Sequence, residues 1–504
     1  MTFDFQTLDS LPCLAWCARV ERKSSRCEVL CGAWVEKREE HFFEGAWNGP
    51  LEQGGFDSAT LFAGSGGKAS PESVLFCAPF HPFEALWVVR HADCLYVSNS
   101  FVFVLGASGE ELLPGYLEYF FDILANLRAG LDGPRKSLPT LSGHGIESYL
   151  CVNLRVFADL GVRKEEKSWG PPPRSFDDYV ERSCDLLRAT FENAASGARR
   201  CAQYPPITGI SKGFDSTAVA VLAARSGCRE AYTFRQSGAV DGLHSDSGAE
   251  IGRMLGLTVT EHDRGDLSRV PGLPGAEFFF NPFQGDCDLA ALEHRIQGRL
   301  MLTGRNGEGV WKASAEKMLG PRLRDFYSTH LGYTSMTEMR LRIGMIHLPF
   351  PYHSAIHVKC MARITNSPEM RPWTLGGWYD RPFARRIIEE GGVPRKAFGL
   401  RKLGGPGPNR SSRDCLTERG WSDFQSFLKE HRSALPPWQR RWAERRRWLA
   451  PLIRLLGKHH RVQHLLTLYA PGLLYSEWGK LELYVFQWGV NRLRSRYEAA
   501  RFSR

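Results

Sequence analysis

The amino-acid sequence predicts an α/β domain built on a parallel β-sheet, preceded by a β-rich region. Short strand-like segments dominate residues 1–165. Beyond a charged segment at residues 162–175 that contains three consecutive prolines, apolar strand segments alternate with helical ones. A repeated strand–helix–strand order favours a parallel sheet, because each helix carries the chain back to the edge where the next strand starts.

The composition is that of a folded protein with several domains. A chain of 504 residues is long enough for about three domains of ~150 residues, and we place them at residues 1–170, 171–410 and 411–504. No apolar run approaches the ~20 residues of a membrane span, and the first ten residues lack the pattern of a secretory signal. The 13 cysteines are scattered and odd in number, which indicates reduced thiols. These features together predict a cytoplasmic protein.

The first predicted elements are a hairpin, a linker and a helix. Residues 85–100 (ALWVVRHADCLYVSNS) contain two apolar strands around a polar turn at 90–93. The charges and prolines of residues 162–175 predict a linker. Ser175 is a suitable N-cap for a helix over residues 176–195, whose first turn is acidic.

The segments that follow alternate between strand and helix. The predicted order is a strand near Ile207, a helix from Ser216, a strand at 230–234, a helix at 246–256, a strand at 258–263 and a strand within 298–311. Asp246 is expected to cap the second of these helices. The first and last strands lead into glycine-containing loops, and ligands of such sheets bind at the carboxyl ends of strands. Both loops are therefore candidates for one binding site.

The first loop, SKGFDST at residues 211–217, has the composition of an anion-binding turn. Its backbone amides and the following helix N-terminus can point at an anion, and three hydroxyl groups add donors. Gly213 is expected to allow a backbone conformation closed to other residues. Asp215 would repel a bare phosphate, so its expected role is to hold Mg²⁺. The spacing of the kinase-type phosphate loop, GxxxxGK[ST], is absent from this segment.

SKGFDST resembles the SGGxDS signature of the PP-loop ATP pyrophosphatases, and three later blocks narrow the resemblance to asparagine synthetase-like enzymes. These blocks are SDSGAEIGRMLGLTVTEHD, LTGRNGEGVW and YDRPFARRIIEEGGVPRKAFGLRKLGG, in the family's order over about 200 residues. The resemblance implies an adenine nucleotide alpha hydrolase-like synthetase domain. Residues 84–108 also resemble the end of the family's glutaminase domain, which implies a degenerate Ntn-hydrolase-like domain before it. Thr2 stands where that domain has its nucleophilic cysteine, so we expect this domain to be non-catalytic.

The resemblance also implies roles for individual residues. The implied nucleotide-binding residues are Ser211, Gly213, Asp215, Ser216, Thr217, Thr233, Phe234 and Gly304. Asp215 and Glu308 would hold the metal, and Lys402 would stabilise charge during acyl transfer. The chain departs from the family at Lys212, in place of a glycine, and at Arg305, in place of a glutamate. Both changes add positive charge, so we count these two residues with Lys402 as candidate catalytic groups. The expected arrangement brings Ser211, Asp215 and Glu308 to one cleft.

The predicted function is that of an ATP- and Mg²⁺-dependent ligase that forms an amide bond between a small-molecule carboxylate and an amine. The segments LRIGMIHLPFPYHSAIHV and SPEMRPWTLGGWYDRPFARRI are more loosely similar to asparagine synthase-related proteins of surface-polysaccharide or natural-product pathways. One alternative is a PP-loop enzyme acting on RNA, which the absence of an apparent RNA-binding module in the sequence disfavours. Another is a catalytically impaired scaffold. The basic, tryptophan-rich residues 438–461 are candidates for a peripheral membrane or protein contact.

Overall fold

The computed structural model describes most of the chain and shows a mixed α/β fold. The described residues are 1–116, 118–129, 131, 134, 136–236, 245–273, 275–278, 287–314, 336–377, 379–399, 416–432, 462 and 482–502. Two six-stranded sheets lie in the N-terminal region, and a five-stranded, all-parallel sheet follows. The predicted combination of a β-rich region and a parallel α/β sheet is therefore confirmed at this level.

The N-terminal region is a pair of packed sheets. The first sheet contains β1 (Thr2–Thr7), β2 (Trp16–Glu21), β3 (Arg26–Cys31), β8 (Leu86–Arg90), β9 (Cys94–Ser98) and β10 (Ile146–Tyr149). The second contains β4 (Glu36–Lys37), β5 (His41–Trp47), β6 (Phe62–Ala69), β7 (Ser73–Cys77), β11 (Val152–Phe157) and β12 (Val162–Glu166). Their strand orders are β1-β3-β2-β9-β8-β10 and β12-β11-β7-β6-β5-β4. Alternate residues of facing strands, such as Trp16, Val97 and Phe76, share one buried core between the sheets.

The predicted hairpin is confirmed, whereas the predicted linker is partly wrong. β8 and β9 pair antiparallel around the turn after Arg90. Val162–Glu166, the first part of the predicted linker, instead forms β12 and pairs antiparallel with β11. β12 is an edge strand, and its charged side chains are mostly exposed. Charge on an edge strand discourages further pairing, so the composition that suggested a linker belongs to a protected sheet edge.

The parallel sheet reverses its strand order beside its central strand. It contains β13 (Pro206–Gly209), β14 (Glu230–Phe234), β15 (Thr258–His262), β16 (Leu300–Thr303) and β17 (Ile346–Pro349), in the order β15-β14-β13-β16-β17. After β13, the chain adds β14 and β15 on one side of this strand. It then adds β16 and β17 on the other side. The carboxyl ends of β13 and β16 therefore flank a topological switch point, the usual ligand site of open α/β sheets.

Helices cover the sheets and connect the parallel strands. They are α1 (Phe101–Ser108), α2 (Tyr119–Ala129), α3 (Phe176–Ala194), α4 (Phe214–Arg225), α5 (Ala249–Met254), α6 (Gly275–Phe278), α7 (Glu293–Ile296), α8 (Gly307–Val310), α9 (Thr337–Ile343), α10 (Val358–Thr365), α11 (Pro382–Glu390), α12 (Glu418–Arg432) and α13 (Glu482–Arg494). Ser175 caps α3 as predicted, because its hydroxyl accepts a hydrogen bond from the Asp178 amide at 3.1 Å. Asp246 does not cap α5, whose N-cap is Gly248, so that prediction is wrong.

α13 and the residues that follow it pack against α1 of the N-terminal region. The Phe486 ring of α13 lies 5.6 Å from the Phe101 ring, and Tyr497 stacks on Phe103 at 4.9 Å. Residues 438–461 lie outside the described residues, and so does Lys402. Within the part of the chain that is described, no helix combines the length and apolarity needed to cross a membrane.

Candidate functional site

A cleft of about 430 Å³ opens at the switch point, within the size range of small-molecule sites. Nine of the residues predicted from the sequence line it: Ser211, Gly213, Asp215, Ser216, Thr233, Phe234, Gly304, Arg305 and Glu308. They come from the ends of three neighbouring strands and from the helices that follow. The cleft is therefore built where the two glycine-containing loops were expected to meet.

The loop after β13 is held in place by its own hydroxyl groups. The Ser211 and Ser216 hydroxyl oxygens lie 2.7 Å apart, and the Gly213 amide donates to Ser211 Oγ at 3.0 Å. The Thr217 hydroxyl donates to the carbonyls of Ser211 and Gly213, at 2.7 and 2.6 Å. Thr217 is buried and is not among the lining residues. Its contacts stabilise the turn, while Ser211 and Ser216 face the cleft.

Gly213 serves this loop through its small size. Its φ of −74° and ψ of 163° are open to any residue, so the predicted need for an unusual backbone conformation is wrong. A Cβ atom on Gly213 would lie 3.2 Å from Ser211 Oγ, tighter than ordinary van der Waals contact. Gly213 is also the N-cap of α4 and supplies no side-chain cap. The first turn of this 12-residue helix thus opens toward the cleft with the positive end of its dipole.

The loop after β16 packs directly on the first turn of α4. A Cβ on Gly304 would lie 2.5 Å from the Ser216 backbone nitrogen, and a Cβ on Gly307 would lie 2.9 Å from Asp215 Cγ. Asn306 occupies the left-handed region with φ 65°, and its side-chain amide donates to the Tyr352 hydroxyl. Glycine at positions 304 and 307 therefore permits a close approach that brings Glu308 to the same cleft as Asp215.

A third carboxylate and a guanidinium lie near the two predicted metal ligands, Asp215 and Glu308. Asp246 lines the cleft, and its Oδ1 accepts a hydrogen bond from the Lys212 amide at 3.2 Å. Burial raises the pKa of Asp246 to about 6. Arg381 Nη2 lies 3.7 Å from Glu308 Oε2. The Tyr379 ring also lines this side, and burial together with the nearby Asp215 carboxylate raises the pKa of its phenol to about 12.

Arg305 lies between the cleft and the N-terminal region. Its guanidinium carbon is 5.3 Å from the ring centre of Phe83, which precedes β8. Burial lowers the pKa of Arg305 to about 10, which still leaves the side chain charged at neutral pH. The positive charge predicted from the sequence therefore sits on the cleft wall. Lys212 differs, because its backbone holds the loop and its half-buried side chain is not among the lining residues.

Several lining residues were not predicted as site residues, notably Asp246, Arg264 and Asp288. Arg264 pairs with Asp288 and lies 4.6 Å from the Phe234 ring centre. Of these three residues, only Asp246, at the acidic start of the predicted helix at 246–256, had been singled out in the sequence.

Comparison of the chain with models of protein families and with curated proteins found no match in either case.

Proposed function

We propose that the protein is an ATP-dependent, AMP-forming ligase of the asparagine synthetase type, with a synthetase domain preceded by a degenerate Ntn-hydrolase-like domain. The observation that carries the proposal is the meeting of two loops at the switch point of the parallel sheet. Their hydroxyls, helix N-terminus and two carboxylates line one cleft. Hydrogen-bond donors at a helix N-terminus suit a triphosphate, and hard oxygen ligands suit the divalent cation that accompanies it.

The residues present suit Mg²⁺ bound to a nucleotide. Carboxylate oxygens are the ligands that Mg²⁺ prefers, and Asp215 of α4 and Glu308 of α8 would supply them from two adjoining segments that line the cleft. When bound, Mg²⁺ would neutralise negative charge on the triphosphate. Arg381, beside Glu308, adds a fixed positive charge for the same purpose. The Ser211 and Ser216 hydroxyls would donate to the pyrophosphate, and Thr233 and Phe234 would lie along the adenine.

The proposed reaction has two steps. An oxygen of the substrate carboxylate attacks the α-phosphorus of ATP, the α–β phosphoanhydride bond breaks, and pyrophosphate leaves with its electrons. A neutral amine then attacks the acyl carbon of the adenylate, the acyl–oxygen bond breaks, and AMP leaves while the amine loses a proton to solvent. The protein contributes by orienting both substrates and by stabilising the negative charge that develops on the leaving pyrophosphate. Lys402 is proposed to stabilise the oxyanion of the second step.

The charges on the cleft wall support an acidic substrate. Arg305 is partly buried, cationic and placed beside Phe83 at the edge of the cleft. A partly buried guanidinium attracts a carboxylate more strongly than a fully exposed one does, because solvent screens it less. Thr2, which stands in the place of a nucleophilic cysteine, is exposed on β1. We therefore propose a free amine, rather than ammonia from glutamine, as the nitrogen donor.

The proposal is tested by ATP–pyrophosphate exchange in the presence of Mg²⁺ and a panel of carboxylic acids. We expect exchange that depends on one class of acid and that Asp215→Ala abolishes. Asp177→Ala is the matched control, because Asp177 also lies in the first turn of a helix but is 79% exposed. If the chain binds no ATP and Lys212→Gly restores binding, the protein is a scaffold that has lost catalysis, and the proposal is wrong.

A further inference from the structure

Two histidines and a glutamate from three distant segments meet on the N-terminal region. His91 lies in the β8–β9 turn, Glu110 follows α1, and His144 precedes β10. One ligand atom from each residue lies within 4.8 Å of the other two. Nothing in the sequence spacing, with gaps of 19 and 34 residues, indicated that these side chains meet. We propose that they bind a divalent transition metal, with Zn²⁺ as the best fit.

The geometry of the three side chains suits a metal ion. His91 Nε2 and His144 Nδ1 both lie 3.0 Å from the same oxygen, Glu110 Oε1. The two imidazole ring centres are only 4.4 Å apart. Ligand atoms of a tetrahedral zinc site with bonds of ~2.0–2.1 Å lie about 3.3 Å apart. Small movements of two side chains would therefore place all three atoms at bonding distance from one ion.

The surroundings of the glutamate support the same assignment. The Glu110 side chain is only 3% exposed, yet it sits among polar groups and not in an apolar core. Its second oxygen accepts a hydrogen bond from the Ser142 hydroxyl, which in turn lies 3.1 Å from the Thr140 hydroxyl. Such contacts orient a metal-binding carboxylate and fix which oxygen faces the ion.

The donor set identifies the class of metal. Imidazole nitrogens are ligands of Zn²⁺ and other first-row transition metals, whereas Mg²⁺ prefers oxygen ligands. The His144 side chain is 44% exposed, so water can reach a fourth coordination position. Three protein ligands with one open position are the arrangement of a zinc site that keeps a water molecule. The ion would also tie together the hairpin turn, the end of α1 and the segment before β10.

A simpler arrangement would produce similar distances without a metal. Each neutral imidazole could donate one N–H to Glu110 and so form two ordinary hydrogen bonds. The two arrangements differ in the effect of removing one histidine. Loss of His144 would leave a hydrogen-bonded pair intact, but it would remove one of only three protein ligands from a metal ion.

The test is a titration of the full chain with zinc after a chelator has removed bound metal. Binding is measured by calorimetry with saturating Mg²⁺ present. We expect one zinc ion to bind per chain, and we expect His144→Ala and Glu110→Gln each to abolish this binding. Ser142→Ala should weaken zinc affinity by about 10–100-fold, because it keeps all three ligands and removes the hydroxyl contacts that orient Glu110 and His144. Substitution of Co²⁺ should give the intense visible absorption of a tetrahedral site, which His144→Ala should remove.

The control variant carries alanine at His459, His460 and His464, a second histidine cluster in the sequence that lies outside the described residues. This variant should still bind one zinc ion at His91, Glu110 and His144. The proposal is overturned if the control variant loses the ion, if His144→Ala keeps it, or if the wild-type chain binds none. His144→Ala changes a half-exposed loop residue, so its circular dichroism should match that of the wild type.

Discussion

Gly304 lies against the first turn of α4 so closely that a Cβ atom on it would come within 2.5 Å of the Asp215 carbonyl carbon. The obstacle is backbone on both sides, so no side-chain rotation can relieve it. This contact fixes the separation of the two loops that form the cleft. It also explains in steric terms why the first residue after β16 is a glycine.

Gly304→Ala should therefore separate the two loops. We expect a loss of about 1–3 kcal/mol in the free energy of unfolding, as for other overpacked sites, together with loss of ATP–pyrophosphate exchange. Chemical denaturation and the exchange assay measure the two effects. Gly265→Ala is the control, because a Cβ on Gly265 would meet no atom within 4 Å. Full exchange activity in Gly304→Ala would show that loop separation is unimportant for the site.

Glu308→Gln should raise the Mg²⁺ concentration needed for half-maximal exchange. The substitution keeps the size of the side chain but removes the charge that would bind the cation. It also leaves Arg381 beside a neutral amide, 3.7 Å from the former carboxylate oxygen. We expect a fall of about 100-fold in exchange at fixed Mg²⁺, partly restored at higher Mg²⁺. Glu250→Gln, on an exposed position of α5, is the matched control. An unchanged Mg²⁺ dependence would exclude Glu308 as a ligand.

The sequence predicted the local elements better than the contacts between them. The β8–β9 hairpin and the Ser175 cap were predictable because each depends on residues close together in the chain. The charges of β12 suggested a linker because an exposed edge strand and a linker have similar composition. Asp246 lines the cleft while it accepts a hydrogen bond from the Lys212 amide, 34 residues away in the chain. No pattern of neighbouring residues in the sequence predicts a contact of this kind.

Arg340→Met should destabilise the whole fold. Arg340 of α9 is 1% exposed and pairs with Glu44 of β5 at 2.6 Å and with Glu84 at 2.5 Å, so it joins the N-terminal sheets to the parallel-sheet region. Its removal would leave two buried carboxylates without their cation, at a cost of about 3–5 kcal/mol. Denaturant titration measures the change.

The control for this prediction is an exposed ion pair. Arg188 and Asp185 on α3 pair at 2.6 Å, with side chains 52% and 61% exposed. Arg188→Met should cost no more than about 1 kcal/mol, because water already solvates both charges. Equal losses in the two variants would contradict a special role for the buried pair.

Asp246→Asn should make the protein more stable at neutral pH and leave its stability unchanged at acidic pH. Burial raises the pKa of Asp246 from 3.8 to about 6 in the folded state, so the folded chain prefers the protonated carboxyl. As the pH rises above ~4, the unfolded chain releases this proton first, and the wild type loses stability until the pH passes about 6. The loss amounts to about 3 kcal/mol at pH 7. Asparagine cannot ionise, yet its side-chain oxygen can still accept the hydrogen bond from the Lys212 amide. Denaturation of both proteins at pH 4 and pH 7 measures the difference, and an equal difference at the two pH values would show that Asp246 does not titrate in this range.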